Sequence, residues 1–556
     1  MMRITSIFCF AILAFAAVPS AFGGVQAQDI SANAEAFDVM LAMPDGTRLY
    51  TYGIRPAPGV KCPIVVTRNP YQKEMKINPA MYLKKHADML SRGYARISQH
   101  CRGTGMSEGA WVPYESERAD GLALLEWIRK LPWYNGELFL EGGSYGASVH
   151  WAYLETNPPD VKGAALSVQE VDRYNIILRN GFFKIGLQGN WYVKGYKKKD
   201  HSLLRDKLVH LYDFPLLEFS QRYWGAPEPS FDNPIAHPRH DDPFWTSREP
   251  GSGIDYRRAL MDSTMPILLR TGLYDIYTEG VCGMWRETPR ARLANCSLLI
   301  DAYGHSGRLD NEMKGTAGEF PHGERKDAGV DALDWFDYCR TGKPCEKAKP
   351  GKVRYYALWE NRWAETETLD DGARKVEFAL GEGARSWTYD PKRPAPEFPG
   401  SGGICFGGMR RQPPPDFRDD VVTFVLPPLA ERLDVRGRMC ARLAVSSDCE
   451  DTCFYVRISV KKQDGEWYLL RDDITTLSAN GGDYSPGTER FVEFRFADHA
   501  FRLEKGERLR VDVASACSQF APHGNVEGLQ GSVREPKVAH NSVRASASTI
   551  TIFAKK

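Results

Sequence analysis

The chain has 556 residues, more than one hydrophobic core usually supports, so two or three domains are expected. Apolar residues make up 42% and charged residues 26%, an ordinary globular balance that excludes disordered and fibrous classes. Lys and Arg number 72 against 71 Asp and Glu, which leaves no electrostatic footprint for nucleic acid or an anionic membrane surface; the run Lys194, Lys197, Lys198 and Lys199 reads as a solvated face.

The first element is a targeting segment. Arg3 supplies a positive start, residues 7–18 an apolar stretch, and Val25-Gln26-Ala27 a small-residue cleavage site. The apolar stretch is shorter than the roughly 20 residues that span a bilayer, and Pro19 follows it. Residues 1–27 are therefore expected to be a cleaved signal peptide. The mature protein is expected to be exported, periplasmic or secreted, with no membrane anchor. Removing Cys9 from the twelve cysteines leaves an odd number, so at least one mature thiol stays unpaired. Cys339 with Cys345 and Cys449 with Cys453 are close enough in sequence for local disulfides, and buried free thiols are the equal alternative.

From residue 40 to 170 short apolar runs alternate with helical stretches. Residues 63–67, 95–98, 138–140 and 164–168 read as strands buried on both faces. Leu124, Trp127, Ile128 and Leu131 fall on one face of a helix that Pro132 closes. Strand, helix, strand, helix predicts a parallel sheet. The rhythm returns at 266–270 and 297–300, after an aromatic and basic stretch near 172–258 with no clear strand, which reads as an inserted helical cap. Beyond about residue 350, runs such as 353–359, 454–460, 491–496, 508–513 and 549–553 alternate polar and apolar residues. They predict an antiparallel β-sandwich.

The central chemical signal is Gly142-Gly143-Ser144-Tyr145-Gly146, between the strand at 138–140 and a helix ending near Asn157-Pro158-Pro159. A glycine-rich turn is the plain alternative, but strand–turn–helix is the setting a G-x-S-x-G nucleophile elbow requires. The glycines relieve crowding so that the serine Oγ projects above the sheet. A serine hydroxyl needs a base to take its proton and a carboxylate to orient that base. Asp275 in Thr271-Gly272-Leu273-Tyr274-Asp275 and His305 in Tyr303-Gly304-His305-Ser306-Gly307 each follow a later strand, in the chain order such enzymes use. Both lie at carboxyl ends of strands, where an open α/β sheet holds its site.

Taken together, these motifs resemble the hydrolase family of bacterial cocaine esterase, α-amino-acid ester hydrolases, glutaryl acylases and X-prolyl dipeptidyl aminopeptidases. The resemblance runs through Arg68-Asn69-Pro70-Tyr71, the stretch 102–109, Glu126-Trp127 with Pro132-Trp133, Ser144-Tyr145-Gly146, Asp241-Asp242-Pro243-Phe244-Trp245, Gly272-Leu273-Tyr274-Asp275 and the His305 loop. It implies an α/β fold class: an α/β-hydrolase core over 28–171 and 259–350, a helical cap over 172–258, and a C-terminal jelly-roll β-sandwich over 351–556. It also implies an oxyanion hole made by the Tyr71 hydroxyl and the Tyr145 backbone N–H. The sequence departs from the family at His100, where an Asp is usual, and at Asp301-Ala302-Tyr303, where Gly-Pro-Trp is usual. Both departures bear on pocket shape.

The expected chemistry is acyl transfer to Ser144, with His305 as base and Asp275 as orienter, on a small ester, amide or short peptide substrate. It needs no metal and no organic cofactor, and a homo-oligomer is compatible with it. Within the class, the alternative is an X-Pro-type dipeptidyl aminopeptidase or an α-amino-acid ester hydrolase, which needs an acidic subsite for an ammonium group. Glu170 and Asp172 are its candidates, though acidic loop residues are more often merely solvated. From another class, the alternative is a non-catalytic surface-binding protein. The cluster His237-Pro238-Arg239-His240-Asp241-Asp242 reads as a structural hinge rather than a metal site.

Overall fold

The computed structural model describes residues 29–71, 75–169, 172–195, 208–246, 256–305, 332–369, 373–393, 409, 411–481 and 484–555. The expected signal peptide and Lys197, Lys198 and Lys199 lie outside these residues. Among them, no helix is long and apolar enough to cross a membrane.

The core is one ten-stranded sheet. Its strands are β1 (Glu35–Ala42), β2 (Arg48–Arg55), β3 (Cys62–Asn69), β4 (Ala95–His100), β5 (Tyr134–Gly143), β6 (Val161–Ser167), β9 (Ile267–Tyr274), β10 (Cys296–Gly304), β11 (Val353–Ala357) and β12 (Arg362–Thr366). They lie in the order β1-β2-β4-β3-β5-β6-β9-β10-β11-β12. The strands from β4 across to β11 run parallel, while β1, β2 and β12 close the two edges antiparallel.

The apolar runs read from the sequence are these central strands, and their alternate residues feed two cores. Ile64, Val66, Leu138, Leu140, Leu166 and Leu269 point into the larger one. Val65, Phe139, Ala165, Leu268 and Leu299 point into the other, against Trp335 and Phe336 of the helix Ala332–Thr341. That is the physical reason the runs lack polar alternation: both faces of the sheet are covered. The helix Glu117–Ile128 buries Leu124 and Ile128 as expected, with Trp127 half-buried beside them.

Two expectations shift. Residues 353–357 were expected to open the sandwich, yet β11 pairs in parallel with β10, so the core sheet ends at Thr366, past the expected boundary at 350. Sequence alternation cannot separate an edge strand of one sheet from a strand of another. Between β6 and β9, the insertion carries the helices Arg173–Ile177, Ile185–Gly195, Pro229–Ala236 and Tyr256–Asp262. It also carries a two-residue hairpin, β7 (Leu178–Arg179) with β8 (Phe182–Phe183), where no strand was expected.

The C-terminal region is two antiparallel sheets. One holds β13 (Arg374–Ala379), β14 (Ala384–Tyr389), β16 (Leu433–Gly437), β17 (Cys440–Ser447), β20 (Arg490–Arg495), β21 (His499–Leu503) and β23 (Ala539–Ala554); the other holds β15 (Val422–Val425), β18 (Cys453–Lys461), β19 (Trp467–Thr476) and β22 (Arg508–Ala514). Val445, Val543 and Ile550 share one core with Val456, Ile458 and Val511. The polar positions of β18 and β22 are buried as well. Arg457 Nη2 stands 2.9 Å and Arg510 Nη2 2.8 Å from Asp512 Oδ2, so the alternation is real but its polar face is an internal ion-pair layer.

This region docks on the hydrolase core through specific polar contacts. Arg179 reaches Asp473 with two hydrogen bonds of 2.8 and 2.7 Å. Arg286 pairs with Asp498, and the Tyr274 hydroxyl donates to the Leu469 carbonyl at 3.0 Å. The ten described cysteines are free thiols, including both close pairs singled out in the sequence.

Candidate active site

Strand ends place the site. Ser144 follows β5, Asp275 follows β9, His305 follows β10, and Tyr71 lies just beyond β3. At Ser144 the backbone takes φ 56° and ψ −129° at the start of the helix Tyr145–Trp151, a region that L residues occupy only when their surroundings enforce it. A Cβ on Gly142 would lie 1.9 Å from the Gly146 carbonyl oxygen, and one on Gly146 would lie 3.3 Å from that of Arg68. Only glycine lets the chain double back this tightly. The Ser144 N–H donates to the Ser167 carbonyl at 2.9 Å, tying the turn to the end of β6.

Around that serine the structure brings together all three polar side chains singled out in the sequence. Ser144 Oγ is 3.0 Å from His305 Nε2, and His305 Nδ1 is 2.9 Å from Asp275 Oδ2. The Asp275 side chain is fully buried, and its other oxygen accepts the Tyr277 N–H at 2.7 Å. With both oxygens engaged, the carboxylate holds one orientation and sets the imidazole so that Nε2 faces the serine. Gly272 permits the close approach of β9 and β10 here, since a Cβ on it would meet the Tyr303 carbonyl oxygen at 2.0 Å. This relay can accept a proton from Ser144 and return it to a leaving group.

The Tyr71 hydroxyl is 3.4 Å from Ser144 Oγ, on a ring that is half exposed. The amide of Tyr145 sits at the first position of the helix, while its side chain is buried beneath the turn. The Tyr145 hydroxyl accepts the Tyr114 N–H at 2.8 Å and donates to Glu117 Oε1 at 2.8 Å. Burial first, then the Glu117 carboxylate, push this phenol well above its ordinary pKa, so it remains a donor. Sequence reasoning missed Glu117, and also Tyr277, whose ring meets the His305 imidazole edge-on at 5.3 Å. Neither carries a local sequence signal, because each contact is made across the fold.

The two departures from the family pattern have structural roles. His100 is buried, and its Nδ1 accepts the Met106 N–H at 3.0 Å while its carbonyl accepts the Ser107 hydroxyl at 2.9 Å. The ring thus supplies, from the end of β4, the kind of acceptor that a carboxylate would offer to the following turn. The Asp301 carboxylate accepts the Ala302 N–H at 2.6 Å, at an irregularity in the β9–β10 pairing that spans Asp301 to Gly304, just before His305.

Of the two carboxylates weighed as an ammonium subsite, Glu170 lies outside the described residues. Asp172 is already committed. It accepts the Asn175 N–H at 2.7 Å, stands 3.0 Å from His240 Nε2 and lies 3.6 Å from Arg257 Nη2. Burial opposes its charge, but the His240 hydrogen bond leads the effects that hold its carboxyl below the ordinary range. The stretch 237–242 is cross-linked to itself, with His237 Nδ1 3.0 Å from Asp242 Oδ2 and Arg239 2.7 Å from Asp241. Among the described residues, no three His, Cys, Asp or Glu side chains converge as metal ligands.

Comparison with known proteins places the fold. Residues 45–307 match the X-Pro dipeptidyl-peptidase (S15 family) model, and residues 346–548 match the X-Pro dipeptidyl-peptidase C-terminal non-catalytic domain. The chain is 26% identical to a cocaine esterase from Rhodococcus sp. (strain MB1 Bresler), covering 91% of this chain and 92% of that one. Its fold is similar to that of an α-amino acid ester hydrolase, with TM-score 0.77, 18% identity, and 98% and 100% of the two chains covered. A CocE/NonD family hydrolase from Staphylococcus aureus matches with TM-score 0.66, 15% identity and 93% of each chain. Such a core with a β-rich C-terminal region defines an α/β-hydrolase. The chain belongs to the family of serine hydrolases that contains cocaine esterase and the X-Pro dipeptidyl-peptidases.

Proposed function

We propose that this protein is an exported acyl hydrolase that cleaves a small ester or amide through an acyl-enzyme on Ser144. The observation that carries the proposal is the continuous relay from Ser144 Oγ through His305 to buried Asp275, at 3.0 and 2.9 Å, on a strained turn. His305 Nε2 takes the hydroxyl proton as Oγ adds to the substrate carbonyl. The Tyr71 hydroxyl and the Tyr145 N–H donate to the oxyanion that develops, and Asp275 stabilises the imidazolium. Collapse of the tetrahedral intermediate breaks the bond to the leaving group, which departs with the proton from His305. Water then adds to the acyl-enzyme by the same route, returning the carboxylic acid and the free serine.

The ester-acting names of the relatives favour an ester or simple amide over a dipeptide, and so does Asp172, whose carboxylate is already engaged by Asn175, His240 and Arg257. Export rests on the leader-like sequence of residues 1–27. The decisive experiment is fluorophosphonate labelling of the wild type and of Ser144→Ala, beside rates on activated esters, anilides and aminoacyl substrates. Labelling confined to Ser144 and fastest turnover on esters support the proposal. Persistent labelling of Ser144→Ala would place the nucleophile elsewhere, and fastest turnover on X-Pro anilides would make the protein a dipeptidyl-peptidase.

A further inference from the structure

Three hydrogen bonds converge on the phenol oxygen of the residue that follows the reacting serine. The Tyr145 hydroxyl accepts from the Tyr114 N–H at 2.8 Å and from Trp111 Nε1–H at 3.3 Å, and donates to Glu117 Oε1 at 2.8 Å. The rings of Trp111 and Tyr114 pack on the same side chain at 5.6 and 4.7 Å. Glu117 does not stop there. Its second carboxylate oxygen is 2.9 Å from Arg68 Nη1, which also donates to the Glu117 carbonyl at 2.9 Å. The side chains of Arg68 and Glu117 are 0% and 4% exposed. Arg68 belongs to the end of β3, and from there the chain runs through Asn69, whose side chain accepts the Tyr71 N–H at 3.1 Å, to Tyr71 itself.

One buried carboxylate therefore stands between the two groups assigned above to the oxyanion hole. We propose that Glu117 is a positioning residue for that hole, fixing the Tyr145 amide through the Tyr145 phenol and the Tyr71 segment through Arg68. The inference rests on the roles proposed for Tyr71 and Tyr145. The physical need is clear from Ser144. Its strained backbone sets the direction of the next N–H, and such a conformation persists only where neighbours over-determine it. A side chain bolted at three points, one residue later, does that. An oxyanion donor acts through its preorganised direction, so a loosened amide weakens transition-state binding while leaving ground-state binding nearly unchanged.

Tyr145→Phe tests this, because it removes the clamp and keeps the ring and the amide. Turnover of an activated ester should fall about 10-fold or more with KM within about twofold, and phenylboronic acid, whose trigonal boron becomes tetrahedral when the serine oxygen bonds to it, should bind more weakly by the same factor. Trp111→Phe removes the 3.3 Å donor together with part of the ring that packs on Tyr145 and should give the same pattern with a smaller loss, which keeps the test open if Tyr145→Phe folds poorly. A purely structural phenol would lower the melting temperature while kcat and boronate affinity of the folded enzyme stayed at wild-type values. That outcome, in a wild type that labels at Ser144, overturns the clamp alone. A wild type that does not label at Ser144 overturns the clamp and the proposed function together.

Discussion

Ser144 is held at φ 56° with its Oγ 3.0 Å from a histidine whose other nitrogen faces a fully buried carboxylate. Deleting that oxygen removes the proposed nucleophile and nothing that packs. Ser144→Ala should abolish hydrolysis to the residual level that binding and the oxyanion donors supply, while stability moves by less than about 1 kcal/mol. Ester turnover and a urea melt of the same preparation check both halves. Tyr71→Phe isolates one donor. Its ring is half exposed, so folding should not change, and kcat should fall about 100-fold if the 3.4 Å hydroxyl serves the oxyanion. An unchanged kcat would reduce Tyr71 to packing. At this scale the sequence was legible where chemistry is local. Ser144 and His305 each sit beside glycine and Asp275 three residues after one, all at strand ends, and the fold sets them within hydrogen-bond distance. Tyr71 was reachable only through family resemblance. Glu117 and Tyr277 were not reachable, because nothing in their immediate sequence records what they touch across the fold.

The turn at Ser144 exists because two glycines let β5 and its helix cross within van der Waals distance. Gly142→Ala would press a methyl group to 1.9 Å from the Gly146 carbonyl oxygen, backbone against backbone, with no side chain free to yield. The turn must open, at a cost of about 3 kcal/mol and nearly all activity. Gly283 is the contrast. It lies inside the helix Thr278–Glu287 with nothing within 4 Å of a Cβ placed on it. Gly283→Ala should raise stability by about 0.5–1 kcal/mol, since it removes only unfolded-chain freedom. Opposite shifts in melting temperature for the two variants check the argument, and equal shifts would contradict it. The elements themselves were readable wherever period and burial agree, as in β3, β5, β9 and the helix Glu117–Ile128. They were misread where a pattern fits two sheets. The residues of β11 alternate like sandwich residues, but their partner is β10. The alternation of β18 does not say where its polar face lies, and Arg457 is buried against Asp512. Pairing partners are long-range facts, and a single strand does not state them.

The molecule as a whole carries histidines that must stay neutral. His150, fully buried, bonds the Tyr153 hydroxyl at 2.7 Å and the Glu141 carbonyl at 3.2 Å; burial first, and then Arg68, lower its pKa from 6.5 to about 3. His499 is likewise pushed well below its ordinary value by burial and Arg471. Below about pH 6.5 the unfolded chain binds protons that the folded one refuses. Stability is therefore complete above that pH and should fall by about 1.4 kcal/mol per pH unit for each such imidazole on acidification. Urea midpoints that stay flat from pH 7 to pH 5 would contradict this. The β-rich C-terminal region poses the larger question, whether it is an accessory or part of the enzyme. The contacts at its seam argue for the latter. Tyr274, whose hydroxyl bonds the Leu469 carbonyl, immediately precedes Asp275. Arg179 joins Asp473 across the seam while its other nitrogen bonds Glu279, on the helix that follows Asp275, at 2.6 Å. The seam thus steadies the segment that orients His305. Ending the chain at residue 350 would remove these partners, and it would also remove β11 and β12, opening the hydrogen-bonding edge of β10 at Leu298 to Ile300. An unpaired edge of that kind invites aggregation. A fragment covering 28–350 should be insoluble or inactive. One covering 28–369 keeps the core sheet closed, so it should be more soluble yet still far below full turnover, because Tyr274 and Arg179 have lost their partners. Expression of both fragments, with solubility and ester turnover measured on each, separates sheet closure from seam support. Full turnover by the shorter fragment would make the β-rich region dispensable.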